Sequence, residues 1–532
     1  MPGGVSGRRA GVLPFGRGYR ASGVLLHVTS LPSRYGIGDV GPAAFAWIDR
    51  LHEAGQRWWQ GLPLGPTGYG DSPYQCLSSF AGNSLLISPD GLIDDELLRD
   101  EDCAGETFSA TAVEYERVAP FKWRLLGIAW RRFRDGARPD LRPAYEQFCR
   151  DHAAWLDDYA LFRALKARYG DASYREWPDE LVRRAPAALA RARRELAEPI
   201  ELVRFAQFLL FRQGARLKDH ARQKGVHLIG DLPFFASSDS SDVWADPELF
   251  LLDERLQPRV VAGVPPDFFS AGGQLWGNPV YDWGALRRTG YRWWIERLRA
   301  LLTHVDAIRL DHFRAFAAAW HVPVGAPSAR TGQWVPGPGA DFFKAVRKAV
   351  GALPFIAEDL GLITPDVDAL RDRFRLPGMR VLQFAFDGEP DNPYLPANHV
   401  HNTVVYTGTH DNPTTRGWYA ALPEQERQVL VKTLGHALRA DADAAPALMH
   451  LGWSSAAALA IAPLPDVLNL GNEARMNVPG RADGNWRWRV TEAMLAGSDF
   501  ERLRELTRAS GRVPRSRRAK PPGLGSVTEV SG

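Results

Sequence analysis

The sequence predicts a (β/α)8 barrel, and three observations carry that expectation. Eight short apolar runs end in Gly, Pro or a polar residue, amphipathic helical patterns lie between them, and four of the runs carry an acid near the C-terminal end. In chain order the predicted strands are Gly23–Thr29, Arg57–Pro66, His227–Phe235, Ala307–Phe313, Pro354–Gly361, Met379–Gly388, Thr403–Asp411 and Leu459–Leu468. The predicted helices between them include Pro42–Gly55, Tyr291–His304, Asp341–Gly351, Pro365–Phe374 and Glu424–Leu438. A doubly wound sheet shares this alternation, but eight strands closed on themselves leave no edge to protect.

Two connections are too long for simple βα links. Residues 67–226 contain the strongly helical stretches Trp155–Arg168 and Glu201–Lys218, which predicts a mostly helical insertion subdomain after strand 2. Residues 236–306 contain GVPPDFFSAGGQLWGNPVYDW (Gly263–Trp283), rich in Gly, Pro and aromatics, which predicts a lid-like loop after strand 3. The barrel is then divided into 21–66 and 227–500. The flanking basic segments, 1–20 and 505–532, read as disordered. No internal repeat is present.

Composition excludes several classes. With 65 basic and 62 acidic side chains the formal charge is +3, which argues against nucleic acid as the principal partner. No stretch approaches the ~20 apolar residues of a membrane helix, and the basic N-terminus lacks an apolar signal core. Three cysteines (Cys76, Cys103, Cys149) without a C-x-x-C form neither a zinc site nor a disulfide framework, so a reducing cytoplasm is the expected location. The 18 Trp outnumber the 14 Tyr and often stand beside Gly, Pro, Asn or Asp. Rings so placed suit core packing or stacking on sugars or bases.

Gly36-Ile-Gly38-Asp-Val-Gly41 has the spacing of a dinucleotide fingerprint but fails in context. Its first Gly comes seven residues after Thr29, and no acid lies between Glu53 and Asp71 to hold a ribose. No P-loop sequence exists. The four acids carry more: Asp231 in IGDLPFF, Asp311 in IRLDHF, Glu358 in FIAEDLG and Asp411 in TGTHDN. One alone reads as a helix cap or an ion-pair partner. Four on the rim where barrel active sites are built converge on one centre. A metal-dependent hydrolase needs several histidines on early strands, and only His27 lies on the first; His312 and His410 come from separate strands. This pattern does not favour a metal site. A carboxylate pair among aromatics fits glycosidic bond chemistry, with one ionised carboxylate and one protonated carboxyl. Asp311 and Glu358, on adjacent strands, suit the retaining spacing of about 5–5.5 Å. Arg309, two residues before Asp311, points to the same side of its strand and would hold Asp311 ionised.

SPYQCLSSFAGN (72–83), IGDLPFF (229–235), GVPPDFFSAGGQLWGNPVY (263–281), AIRLDHFRAF (307–316), IAEDLGLITPDV (356–367), LPGMRVLQFAF (376–386), YTGTHDNPTTRGWY (406–419) and GNEARMNVPG (471–480) occur in that order. Together they resemble the amylomaltases, the 4-α-glucanotransferases of glycoside hydrolase family 77 in the α-amylase clan, from about residue 20 to about residue 490. The resemblance implies that Asp311 is the nucleophile, Glu358 the general acid/base and Asp411 the third carboxylate that supports the transition state. It implies that Tyr74, Asp231, Arg309 and His410 line the donor sugar, and that Asp267, Phe268 and Trp276 fall in a loop over the acceptor side. Maltooligosaccharides and α-1,4-glucans would be donors, glucose or a maltooligosaccharide the acceptor, and by this resemblance no metal or organic cofactor is expected. An α-glucan hydrolase of the same clan is the rival enzyme, and a silent glucan-binding barrel the rival outside catalysis. Ala315, Ala317 and Ala319 stand where the family usually has Gly, Glu and Tyr. Phe268 stands for Tyr, Pro413 for Asp, and Pro336 and Pro465 for Lys and Gln.

Overall fold

The computed structural model describes residues 13–266 and 272–513. Asp267 and Phe268 therefore lie outside the described residues. The strands are β1 (Ala21–Leu25), β2 (Trp58–Gln60), β3 (His227–Leu232), β4 (Val260–Val264), β5 (Gln274–Pro279), β6 (Ala307–Leu310), β7 (Ala318–Pro323), β8 (Gln333–Pro336), β9 (Phe355–Ala357), β10 (Gly378–Val381), β11 (Thr403–Tyr406) and β12 (Leu459–Pro463). Eight of them close a parallel barrel in the order β1-β2-β3-β6-β9-β10-β11-β12, so the (β/α)8 expectation holds.

The barrel is a packed core because alternate residues point inward. Ala21, Leu25, Trp58, Ile229, Ala307, Ile356, Met379, Val381, Val404, Tyr406, Leu459 and Ile461 form one buried cluster with contributions from every barrel strand. Two residues further along three of these strands the inward positions become Asp231, Arg309 and Glu358. An apolar plug thus carries a polar layer at the strand ends, and period-2 alternation alone sets its place.

The rim segments leave the ladder earlier than the apolar runs suggest. The run Ala307–Phe313 is strand only to Leu310, because His312 adopts φ +49° and turns the chain into a 3-10 segment. Arg57–Pro66 is strand only over Trp58–Gln60, and Leu459–Leu468 becomes helix at Leu464. A carboxylate carried just past a strand end leans over the barrel mouth rather than staying in the sheet.

Helix Ala197–Lys224, inside the expected insertion, packs on helix Arg142–Arg168 and also on Pro42–Glu53 and Arg292–His304, and leads directly into β3. Two other expectations need correction. The Gly263–Trp283 segment is only partly loop: β5 pairs with β4 in an antiparallel sheet of order β5-β4-β7-β8. Both flanking segments are ordered where they adjoin the barrel. Leu13 and Phe15 are buried, and the Trp58 indole N–H donates to the Tyr19 hydroxyl at 2.8 Å, so apolar side chains among the basic ones cover the strand starts. Helix Asp499–Ala509 runs past residue 505, and buried Arg512 donates to the Ala21 carbonyl at 2.9 Å. The Gly36–Gly41 motif serves packing: a Cβ at Gly38 would stand 2.0 Å from the Val28 carbonyl oxygen.

Candidate active site

β3 and β6 pair in register with Asp231 opposite Arg309. That register delivers the Arg309 Nη1 to both oxygens of Asp231, at 2.9 and 2.8 Å, and to Asp311 Oδ1 at 2.9 Å. Asp231 has no exposed side-chain surface and Arg309 only 5%, so this ion pair is desolvated and held by the sheet itself. Burial works against the guanidinium charge, but Asp231 and Asp311 outweigh it and keep Arg309 cationic. The Tyr74 hydroxyl donates to Asp231 Oδ2 at 2.9 Å, and its ring stacks on His410 with centroids 5.1 Å apart.

Asp311 and Glu358 bracket one peptide. The amide N–H of His312, next to Asp311, donates to Glu358 Oε2 at 2.7 Å, while the Leu360 N–H donates to Oε1 at 2.9 Å. Burial raises both carboxyls, and the surroundings then separate them. Asp311 touches the Arg309 cation and is pushed up only to about 6, which leaves it ionised at neutral pH. Glu358 is pushed up to about 8 by burial and by repulsion from Asp311, against the partial relief of Arg309 and the two amides. One ionised and one protonated carboxyl side by side is what retaining glycoside chemistry requires.

Asp411 moves the other way. Burial would raise it, but His410 Nε2 at 3.3 Å from Oδ2, and Asn477 donating to Oδ1 at 2.6 Å, hold it well below the usual carboxylate range. Trp276 reaches the site from β5, its ring edge-on to His312 at 4.8 Å and 6.2 Å from Phe235. Each expected site residue that is described, Tyr74, Asp231, Trp276, Arg309, Asp311, Glu358, His410 and Asp411, stands at this barrel mouth. His27 is buried there too, accepting the Leu62 N–H on Nδ1 at 3.3 Å and held neutral by burial and by His410.

Asn477 and Arg475 were missed by the sequence reading. Arg475 donates to the Asp411 carbonyl at 2.7 Å and to the Asn477 carbonyl at 2.7 Å, so the loop after β12 braces the third carboxylate. Both lie in GNEARMNVPG (471–480), one of the strings that carry the resemblance, and that was the available signal. Among the described residues, no group of three or more His, Cys, Asp or Glu side chains is arranged to hold a metal ion.

Comparison with known proteins places this geometry. The family model of 4-alpha-glucanotransferase, glycoside hydrolase family 77, matches residues 26–495. The chain belongs to this family. It is 48% identical over 499 residues to the 4-alpha-glucanotransferase of Thermus thermophilus, covering 93% of this chain and 99% of that one. It is 41% identical over 503 residues to the chloroplastic/amyloplastic 4-alpha-glucanotransferase of Solanum tuberosum, covering 93% and 87%. Among solved structures, amylomaltase from Streptococcus agalactiae in complex with acarbose matches with a TM-score of 0.90 at 34% identity, over 93% of this chain and all of that one. Two departures from the usual family pattern, Ala319 and Pro336, lie on the paired strands β7 and β8, in the sheet that also carries Trp276.

Proposed function

We propose that the protein is a retaining 4-α-glucanotransferase that moves a segment of a maltooligosaccharide or α-1,4-glucan to the 4-hydroxyl of glucose or another maltooligosaccharide. The observation that carries this reading is the unequal pair, Asp311 against Arg309 and Glu358 against two amides and a like charge. Glu358 gives its proton to the glycosidic oxygen as the C1–O bond breaks, and the departing glucan leaves with a free 4-hydroxyl. The Asp311 carboxylate closes on C1 from the opposite face and forms a β-glycosyl ester. Glu358, now ionised, takes the proton from an acceptor 4-hydroxyl as that oxygen attacks C1 and releases Asp311. Two inversions restore the α linkage.

The remaining residues act on the donor sugar. Asp231, Tyr74, His410 and Asp411 offer acceptors and donors to its hydroxyls, and Arg309 keeps the nucleophile charged until the ester forms. On purified protein, maltotriose is expected to give glucose and longer oligomers with almost no new reducing ends. One new reducing end per cleavage would favour the hydrolase reading, and no products at all would leave the silent glucan-binding barrel.

A further inference from the structure

Trp486 has φ +62°, a left-handed conformation that bulky L residues rarely adopt. It persists because its surroundings over-determine it. Its N–H donates to the Met476 carbonyl at 2.8 Å, and its carbonyl accepts the Tyr115 hydroxyl at 3.0 Å. The preceding side chain, Asn485, accepts the Val478 N–H at 2.9 Å and donates to the Arg481 carbonyl at 2.8 Å. One residue further on, the Arg487 carbonyl accepts the Val113 N–H at 2.7 Å. The strained residue is therefore clamped between helix Tyr115–Arg134 and the loop that supplies Asn477 to Asp411.

The clamp aims a ring. The Trp486 indole is nearly buried, with centroids 5.8 Å from Tyr74 and 5.9 Å from His410, and those two rings lie on each other at 5.1 Å. Three aromatic rings thus form a closed group. Tyr74 ends on Asp231 at 2.9 Å, and His410 ends 3.3 Å from Asp411. The indole backs both of the rings that reach the carboxylates.

We propose that Trp486 is a positioning residue for the donor sugar, acting through Tyr74 and His410, with the left-handed backbone as the device that holds its ring in place. This rests on the donor-side reading given under Proposed function. Its consequence is specific. Donor binding is spread over several sugars, whereas Tyr74, Asp231, His410 and Asp411 orient the sugar whose C1 reacts. Loss of the backing ring is therefore a loss of orientation, felt in kcat before KM.

The test compares wild type, Trp486→Leu, Trp486→Phe and Tyr115→Phe, assayed on maltotriose well below each melting temperature. Misplacing a reacting group by about 1 Å costs about 100-fold, so Trp486→Leu is expected to lose kcat on that order with KM changing by less than about threefold. Trp486→Phe restores most of the loss, because a ring stands again at the same place. Tyr115→Phe keeps the indole and removes one jaw of the clamp, and its kcat falls between the two. A folded Trp486→Leu with wild-type kcat overturns the proposal, as does Trp486→Phe recovering nothing. If Trp486→Leu does not fold, Tyr115→Phe decides, and unchanged kcat there overturns the proposal. A wild type that leaves maltotriose untouched overturns the functional reading and this inference with it. An active wild type with an indifferent Trp486 overturns this inference alone.

Discussion

The two walls of the site are built differently. The donor wall hangs on barrel strands: Asp231 and Arg309 face each other through β3–β6 pairing, have almost no exposed surface, and share further bonds with Tyr74 and Asp311. The wall proposed to face the acceptor hangs on β5, an edge strand of a separate four-stranded sheet. Its pairing with β4 shifts register between Val261 and Gly263, and a Cβ at Gly263 would stand 2.4 Å from the Gln274 carbonyl oxygen. Trp276 sits on that strand between exposed neighbours, Leu275 and Gly277. A closed barrel fixes its side chains through pairing on both sides, whereas an edge strand with a bulge is free to be re-aimed. We propose on this ground that bond cleavage belongs to the rigid wall and the choice of what attacks the glycosyl-enzyme to the adjustable one.

The sharpest break of that division lies on the donor wall. Asp311→Asn keeps the shape but removes the nucleophile's charge, and nucleophile deletions of this kind cost on the order of 10⁴-fold or more in kcat. Turnover of maltotriose is expected to vanish while the melting temperature stays near that of the wild type. In the wild-type protein a slow fluorinated glucosyl donor should leave a sugar adduct that maps to Asp311 by mass spectrometry. A label on another residue removes Asp311 from the role.

Glu358 allows a test of the electrostatics independent of turnover. Its folded pKa stands near 8 against an ordinary 4.5. Below 4.5 the carboxyl is protonated in both folded and unfolded chains and pH has no effect through it. As pH rises toward 8, the unfolded chain releases the proton while the folded one retains it, so the stability present in acid is progressively lost. Glu358→Gln removes that dependence. The variant should be inactive, and its stability relative to wild type should rise by about 4 kcal/mol between pH 4 and pH 8. Denaturant midpoints at the two pH values measure it. An equal offset at both pH values means that the stabilisation has nothing to do with the raised acid.

Legibility in the sequence followed the same division. Barrel strands announce themselves because a strand buried on both faces must be apolar, so an acid at its end stands out, and Asp231, Asp311, Glu358 and Asp411 were readable for that reason. Arg309 followed from alternation. β7 and β8 were not readable. AAWHVP and QWVP mix small, polar and aromatic residues, no residue of QWVP is buried, and the other partner of β7 is the distant β4. Asn477 and Arg475 lie on a loop after the last strand and reach Asp411 through their side chains, a long-range contact that no periodicity encodes. The basic composition of both ends hid Leu13, Phe15 and Arg512, since charge averaged over a window masks a few well-placed anchors.

The smallest expected effect concerns the acceptor wall, and it asks whether that wall does what the comparison assigns to it. Water and an acceptor hydroxyl compete for the same ester on Asp311, and water is present at roughly 55 M, while well-oriented reactants reach effective molarities of about 10⁵ M or more. An acceptor sugar needs a face to lie against, and the Trp276 ring stands edge-on to His312, the residue whose amide holds Glu358. A sugar stacked there lies beside the group that takes its proton. Trp276→Ala removes the ring from a half-buried edge position and leaves the Asp231–Arg309–Asp311 bonds untouched, so the rate of donor cleavage should change little. The share of cleavages ending in hydrolysis should rise a few-fold, on the scale of about 1 kcal/mol, the low end of what a stacked ring contributes. Counting new reducing ends against glucose released from maltotriose gives that ratio directly. If cleavage itself collapses, the two walls are mechanically one. If the ratio is unchanged, Trp276 is not what gives the acceptor its advantage over water.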